Sequence, residues 1–316
     1  MTEQEYRAIP ALSFSSMKDL EVSPFHFWYW HINPDRPERP ESEQQVFGSA
    51  LHCAVLQPPE VFDAQYAVAL TPPENALDTI GDMREWIKSK GFTPKGTKKD
   101  EMAAQVLAID PDQPIVSVLE ARHFAQNAGK KIISLDDWRR LEGCTRALLQ
   151  EPEVSKILAV GSPEVPIFVQ DPETGVDLKC RIDWYAPDLS LDLKTFSQKA
   201  RKSIDESVAD AIWFEGYLKQ AFFYTRLRHL KGNQDGSELT ARPFVIPFVE
   251  SDPPHEVRIK KFQMGEDLYW TQTSLQVRRL INLYAHCMET YGTEPWRDAQ
   301  EVQPLRDENF RQLGWT

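Results

Sequence analysis

The chain has 316 residues, of which 41% are hydrophobic, enough for one large core or two ordinary ones and too apolar for a disordered polypeptide. The 48 Asp and Glu outnumber the 36 Lys and Arg and leave a formal net charge of −12, which disfavours a protein that coats nucleic acid generally but permits a local basic channel. The start lacks the charged and apolar regions of a secretory signal, no apolar run reaches the roughly 18 to 20 residues of a membrane helix, and Cys53, Cys144, Cys180 and Cys287 form no CxxC pair.

A soluble, cytoplasmic protein without a disulfide framework, a structural zinc site or membrane contact is therefore expected. In chain order, the segment through Gln57 is rich in aromatics: SPFHFWYWHINP carries Phe25, Phe27, Trp28, Tyr29 and Trp30 and predicts a short helix docked on a core. ESEQQVFGSALHCAVLQPPE predicts a helix that stops at Pro58, with Val46, Ala50, Leu51, Ala54 and Val55 on its apolar side. Residues 72–130 differ in character. Proline-rich punctuation bounds two short helical patterns, 79–90 and 98–108, joined by the extended GFTPKGT, which predicts a small helical insert. SLDDWRRLEGCTRALLQ predicts a further helix, with Ser134 as N-cap and Asp136 and Asp137 in its first turn.

The centre is rich in strand patterns. EVPIFVQ runs into a turn at DPETG, and VDLKCRIDWYA returns as its hairpin partner. LSLDLKT predicts a third strand, a long helix covers 204–230 and closes at KGNQDG, and RPFVIPFVE and HEVRIKKFQ predict two more strands before a final helix at 266–291. Helices on a mixed central sheet make the fold α/β. The expected organisation is an N-terminal helical part at 1–71, the insert at 72–130, the sheet-bearing core at 131–295 and a loosely ordered tail at 296–316.

The stretch CRIDWYAPDLSLDLKT concentrates the chemistry. With a period of two, Val176, Leu178, Cys180 and Ile182 share one strand face and Asp177, Lys179, Arg181 and Asp183 the other. On the next strand Leu189, Leu191 and Leu193 point one way, and Ser190, Asp192 and Lys194 the other. The short connection makes the strands neighbours and brings Asp183 towards Asp192. Two carboxylates forced together repel unless a proton or cation lies between them, and hard oxygen ligands favour Mg²⁺ or Mn²⁺. A lone DxK is better explained as a solvated strand face with a casual ion pair, and only the two-strand arrangement puts the functional reading level with it.

Asp183 followed by Asp192-Leu193-Lys194 on the next strand resembles the catalytic pattern of the PD-(D/E)XK nucleases. GSALH at 48–52 is similar to the GxxxH helix, and QAFFY at 220–224 to the QxxxY motif, of the exonuclease subgroup related to RecB nuclease domains and to RecE (exodeoxyribonuclease VIII). The likeness spans 45–58 and 160–265, with the motifs in the subgroup's order, and is greatest to RecE-type phage or prophage exonucleases. It implies a PD-(D/E)XK core with His52, Asp183, Asp192 and the Leu193 carbonyl as metal ligands. Lys194 would position or polarise the attacking water, and Glu164 would be the acidic residue just before the first core strand. Gln220 and Tyr224, one helical turn apart, would meet DNA near the scissile phosphate. Imidazole is not a typical Mg²⁺ partner, so His52 hints that Mn²⁺ substitutes well, and Gly48 is read as permitting close helix approach.

Basic residues gather after the catalytic strand: Lys199, Arg201 and Lys202, then Arg226, Arg228 and Lys231. Beside a metal site in an acidic protein they are read as a phosphate track. The insert faintly resembles a SAP-like helix-extension-helix DNA-binding motif, with Lys95, Lys98 and Lys99 on phosphates; a generic helical hairpin accounts for it equally well. The resemblance implies a 5′-to-3′ exodeoxyribonuclease that degrades linear double-stranded DNA and leaves 3′ single strands for recombination. It further implies a toroidal homotetramer and a single-strand annealing partner, and the chain has no P-loop for ATP. Two rivals remain. An inactive DNA-binding protein that kept the fold would have to retain His52, Asp183, Asp192 and Lys194 for no catalytic purpose. A RecB/Cas4-like or AddB-like nuclease of other polarity, with clustered cysteines for an iron–sulfur cluster, is disfavoured by the dispersed cysteines.

Overall fold

The computed structural model describes residues 1–234, 242–263, 265 and 269–297. In chain order its strands are β1 (Leu12–Ser13), β2 (Tyr66–Val68), β3 (Lys131–Ile133), β4 (Ser162–Gln170), β5 (Asp177–Tyr185), β6 (Ser190–Leu191), β7 (Lys194–Phe196), β8 (Phe244–Glu250) and β9 (Val257–Phe262). All but β2 and β3, which pair with each other, belong to one mixed sheet.

The expected hairpin is formed by β4 and β5, antiparallel from Ser162↔Tyr185 to Gln170↔Asp177. Asp171 closes its turn: the carboxylate accepts from the backbone N–H and hydroxyl of Thr174, while Gly175 takes the left-handed conformation at φ +73°. Alternation buries Leu178, Cys180 and Ile182 as predicted. Lys179 departs from the pattern. It is buried, because its ammonium is taken up by the carbonyls of Tyr6, Arg7 and Ile9, where the helix Glu3–Ala8 ends and its dipole favours a cation.

The strand expected over LSLDLKT is broken into β6 and β7. β6 lies antiparallel to β5 and parallel to β8, whereas β7 pairs only with β8. The Asp192 N–H donates to the Val245 carbonyl at 3.0 Å, so the chain continues along β8 while it leaves β5. Farther along β5, that vacated edge is taken by β1, through Leu12↔Leu178. The sheet thus forks between Asp183 on one branch and Asp192 to Lys194 on the other.

Helices fix the fork from both sides. The helix Glu43–Leu56 begins at a Ser42–Gln45 capping box and packs Ala50, Leu51, Cys53 and Leu56 with Leu191, Leu193 and the helix Leu135–Gln150, which supplies Leu141, Cys144 and Leu148. Val46, Ala54 and Val55, expected on the apolar side, are only half-buried, because the packing arc is centred nearer Cys53. The long helix expected over 204–230 is two, Ile204–Phe214 and Tyr217–Gln234, because Gly216 at φ +72° ends the first. Val208, Ala221, Phe244, Ile246 and Phe248 make the core between these helices and the sheet. A third cluster joins β5 to the N-terminal helices and to Trp270–Tyr291 through Leu178, Cys180, Met17, Phe223 and Ile281.

The aromatic segment forms the helix Pro24–Phe27, which widens into a π-helical turn at Trp28–Ile32, and Phe27 stacks on Trp296 with ring centres 5.1 Å apart. In the insert, Ile80–Ser89 and Lys99–Ile109 coincide with the predicted helices to within a residue or so. A further helix, Val116–Gln126, follows that the sequence did not announce. Met83, Ile87, Met102, Ala103, Val106 and Ile115 give this region a core of its own. The start of the last helix at Glu266, part of KGNQDG and the tail after Arg297 lie outside the described residues. No described helix is long and apolar enough to cross a membrane.

Candidate active site

Strand register places three carboxylates in one row across the fork. Trp184 pairs with Leu191, so one step on, where the ladder opens, Asp183 stands opposite Asp192. Pro163 pairs with Trp184 and Val165 with Ile182, so Glu164 stands opposite Asp183 from the other strand. Opposed residues of antiparallel strands share a face with Cβ atoms about 5 Å apart. Glu164 sits at φ +55°, a conformation that costs an L-residue about 1 kcal/mol, and Arg181 holds its carboxylate through Nε at 2.6 Å.

His52 completes the cluster because its helix is packed on Leu191 and Leu193. One imidazole nitrogen, Nδ1, lies 3.2 Å from Asp183 Oδ2 and the other, Nε2, 2.8 Å from the Leu193 carbonyl oxygen. Ligand atoms of His52, Glu164 and Asp183 all lie within 4.8 Å of one another. Asp183 also accepts from the Leu193 N–H at 3.1 Å, so a side chain spans the fork where the ladder cannot. Gly48 does not serve close packing: a Cβ built there meets nothing within 4 Å.

Asp192 is 1% exposed. Its Oδ1 accepts from Gln220 Nε2 at 2.8 Å, and Oδ2 faces the Lys194 ammonium without a well-directed hydrogen bond. Burial, then the charge of Asp183, raises the Asp192 carboxyl above the usual range, and the same two causes raise Glu164. Burial alone would lower Lys194, but Asp192 and Asp183 outweigh it and hold the ammonium protonated. Lys194 serves the Asp192 end of the row, and at the other end, among the described residues, Arg181 is the one guanidinium on Glu164, while Asp183 has only His52 and the Leu193 N–H. A cation coordinated by His52, Glu164, Asp183 and the Leu193 carbonyl fits this donor set, with hard oxygens in the majority.

The other predicted contacts are placed differently. Gln220 is buried and committed to Asp192, so it orients a carboxylate rather than facing DNA. Tyr224 is half-buried and meets Phe244 edge-on at 5.7 Å, between helix and sheet. Arg226 pairs with the fully buried Asp171, and the buried Arg228 donates to Ser190 and to the carbonyls of Ala186 and Pro187; neither can form part of a phosphate track. Lys199 and Lys202 are exposed and share Asp210, at 3.1 and 2.6 Å, beside exposed Arg201. Lys95, Lys98 and Lys99 belong to the insert, where Lys99 pairs with Asp78 at 3.0 Å. Two site residues were given no role in the sequence reading. Arg181, two residues before Asp183, braces Glu164, and Tyr217, one turn before Gln220, places its ring 5.4 Å from the Lys194 ammonium.

A family model described as a PDDEXK-like domain of unknown function (DUF3799) matches residues 13–303, which contain all of these side chains. The chain belongs to this family. Among solved structures, this PDDEXK-like chain is similar to a "putative exonuclease" from Eubacterium rectale, with a TM-score of 0.54 and 15% identity over 98% of this chain and 97% of that one. At that identity the likeness is one of fold. SSO0001 aligns with a TM-score of 0.26 and 14% identity over 75% of this chain and 86% of its own, too low to carry an argument. No curated protein matches the sequence. The family and the site's residues together support a nuclease.

Proposed function

We propose that this PDDEXK-like protein is a metal-dependent exodeoxyribonuclease that degrades the 5′ strand of linear double-stranded DNA and leaves 3′ single strands for recombination. The observation that carries the reading is the row Glu164–Asp183–Asp192 at the fork, flanked by His52 and Lys194. Mg²⁺, with Mn²⁺ as substitute, would be held by His52, Glu164, Asp183 and the Leu193 carbonyl, joined by Asp192 through Oδ2, the oxygen that lacks a well-directed hydrogen bond, and would supply charge neutralisation at the phosphate.

The chain's own groups supply the rest. Lys194 presents a fixed ammonium that orients the attacking water and attracts the phosphate, and Asp192 keeps it in place. Gln220 holds Asp192 in one rotamer, and Arg181 does so for Glu164, which limits reorganisation when substrate arrives. The exposed Lys199, Arg201 and Lys202 extend positive charge outward from this edge as phosphate contacts. A cytoplasmic toroidal tetramer working with a single-strand annealing protein is part of the same proposal.

Duplexes labelled at one 5′ or one 3′ end test it. With Mg²⁺, label is released early as mononucleotide from the 5′ end and retained at the 3′ end, and covalently closed circles persist. Early release from the 3′ end overturns the polarity. Cleavage of closed circles overturns the requirement for an end.

A further inference from the structure

We propose that Trp213, Phe214 and Tyr269, beside Lys199 and Arg201, form a base-stacking platform for a single-stranded segment of the DNA whose phosphodiester lies at the fork. The inference rests on the nuclease reading and adds a site to it. The helix Ile204–Phe214 buries Val208 completely yet ends in two large aromatics turned to water, Trp213 at 60% and Phe214 at 73% exposure. Tyr269, itself 48% exposed, meets Trp213 edge-on at 6.1 Å, so these two rings make one ledge, and Phe214 follows Trp213 on the helix with its ring under the Lys199 ammonium. Singly exposed apolar residues need no explanation, but three large aromatics exposed within one short stretch of surface, two of them in contact, do.

Position and charge identify the occupant. Two chain segments run outward together from the fork. At its edge the Lys194 ammonium lies over Tyr217, and at the rim the Lys199 ammonium lies 5.3 Å over the Phe214 ring. Most nearby carboxylates are engaged: Asp205 faces Lys260 and Arg258, at 3.2 and 3.6 Å, Glu215 faces Lys18 at 3.7 Å, Asp210 is shared by two lysines, and Glu206 is turned back to cap Ser203. Arg201, exposed and held at φ +67°, has no ion-pair partner among the described residues. Aromatic faces interleaved with surplus cations suit a ligand that alternates π-faces with phosphates. A hydrophobic protein partner would have to bury those cations.

The test measures binding without metal, so it is independent of catalysis. Anisotropy in EDTA compares a labelled short oligothymidylate with an abasic strand of equal phosphate number. Wild type should prefer the base-bearing strand by about tenfold or more. Trp213→Ala with Phe214→Ala should abolish the preference while residual phosphate binding persists, and Trp213→Phe with Phe214→Tyr should restore it. No preference in wild type, or a preference that survives the double alanine variant, overturns the platform. A change of oligomeric mass in the alanine variant also overturns it and makes the ledge a contact between copies of the chain. Wild type that prefers the base-bearing strand yet never hydrolyses duplex with Mg²⁺ would sink the nuclease reading alone.

Discussion

Each side chain at the fork has a partner that explains its placement, and the partners make predictions. Gln220→Leu removes the side-chain hydrogen bond to Asp192 Oδ1. Leaving that oxygen unsatisfied should cost about 1–3 kcal/mol, read as a lower Tm. Duplex cleavage should fall about 10–100-fold, as with other supports of ligating groups. His52→Ala removes a nitrogen between Asp183 and Leu193, so the Mg²⁺ dependence of cleavage should move to higher concentration and calorimetry should find weaker Mn²⁺ binding. Unchanged Mn²⁺ affinity would make His52 a packing residue. The placement of the two aspartates was legible, since period-two alternation puts Asp183 and Asp192 on one face. Gln220 was misread because its partner is 28 residues away and its burial depends on a helix break that only Gly216 signals.

Among the elements, the hairpin turn is clamped to the last helix. Buried Asp171 receives Arg226 at 3.0 Å and Arg278 at 2.7 Å, besides Thr174. Burial alone would raise its carboxyl, but hydrogen bonds from Arg278, Thr174 and Arg226 hold it well below the usual carboxylate range. A depressed folded-state value stabilises above the unfolded pKa of about 3.9, and that contribution is lost as pH falls below it. Asp171→Asn should therefore cost about 3 kcal/mol in urea unfolding at pH 7, with the deficit shrinking towards pH 2. A deficit independent of pH would show that shape, not charge, matters there. The insert makes a different prediction. Neutralising Lys95, Lys98 and Lys99 should lower the slope of log affinity against log salt by about one for each phosphate that a lysine no longer neutralises, and a wild-type slope would remove the insert from DNA binding. Helices with capping boxes, such as Glu43–Leu56 and Ile80–Ser89, were readable to within a residue or two. β1, β2 and β3 were not, because two or three residues carry no periodic signal, and Val116–Gln126 buries no residue fully and so shows no apolar stripe. The split between β6 and β7 follows from β8 and β1 competing for neighbours, a tertiary effect invisible in LSLDLKT.

For the whole molecule, the net charge of −12 sets the problem. A mostly acidic surface is repelled by DNA, and the ring proposed above would turn the exposed Lys199, Arg201 and Lys202 inward around the substrate. Closed cyclic symmetry provides such an enclosure, and mass photometry should find about four copies of the 36.4 kDa chain. A monomer that digests long duplexes without dissociating would refute the enclosure. The proposed hydrolysis of DNA rests on the carboxylate row with Lys194. Its most direct test is the Mg²⁺-dependent release of nucleotides from linear duplex by wild type and by folded Asp192→Ala, side by side. The expected result is release by wild type, none in EDTA, and a drop of about a hundredfold or more in the variant. Equal release by the folded, metal-saturated variant would contradict it.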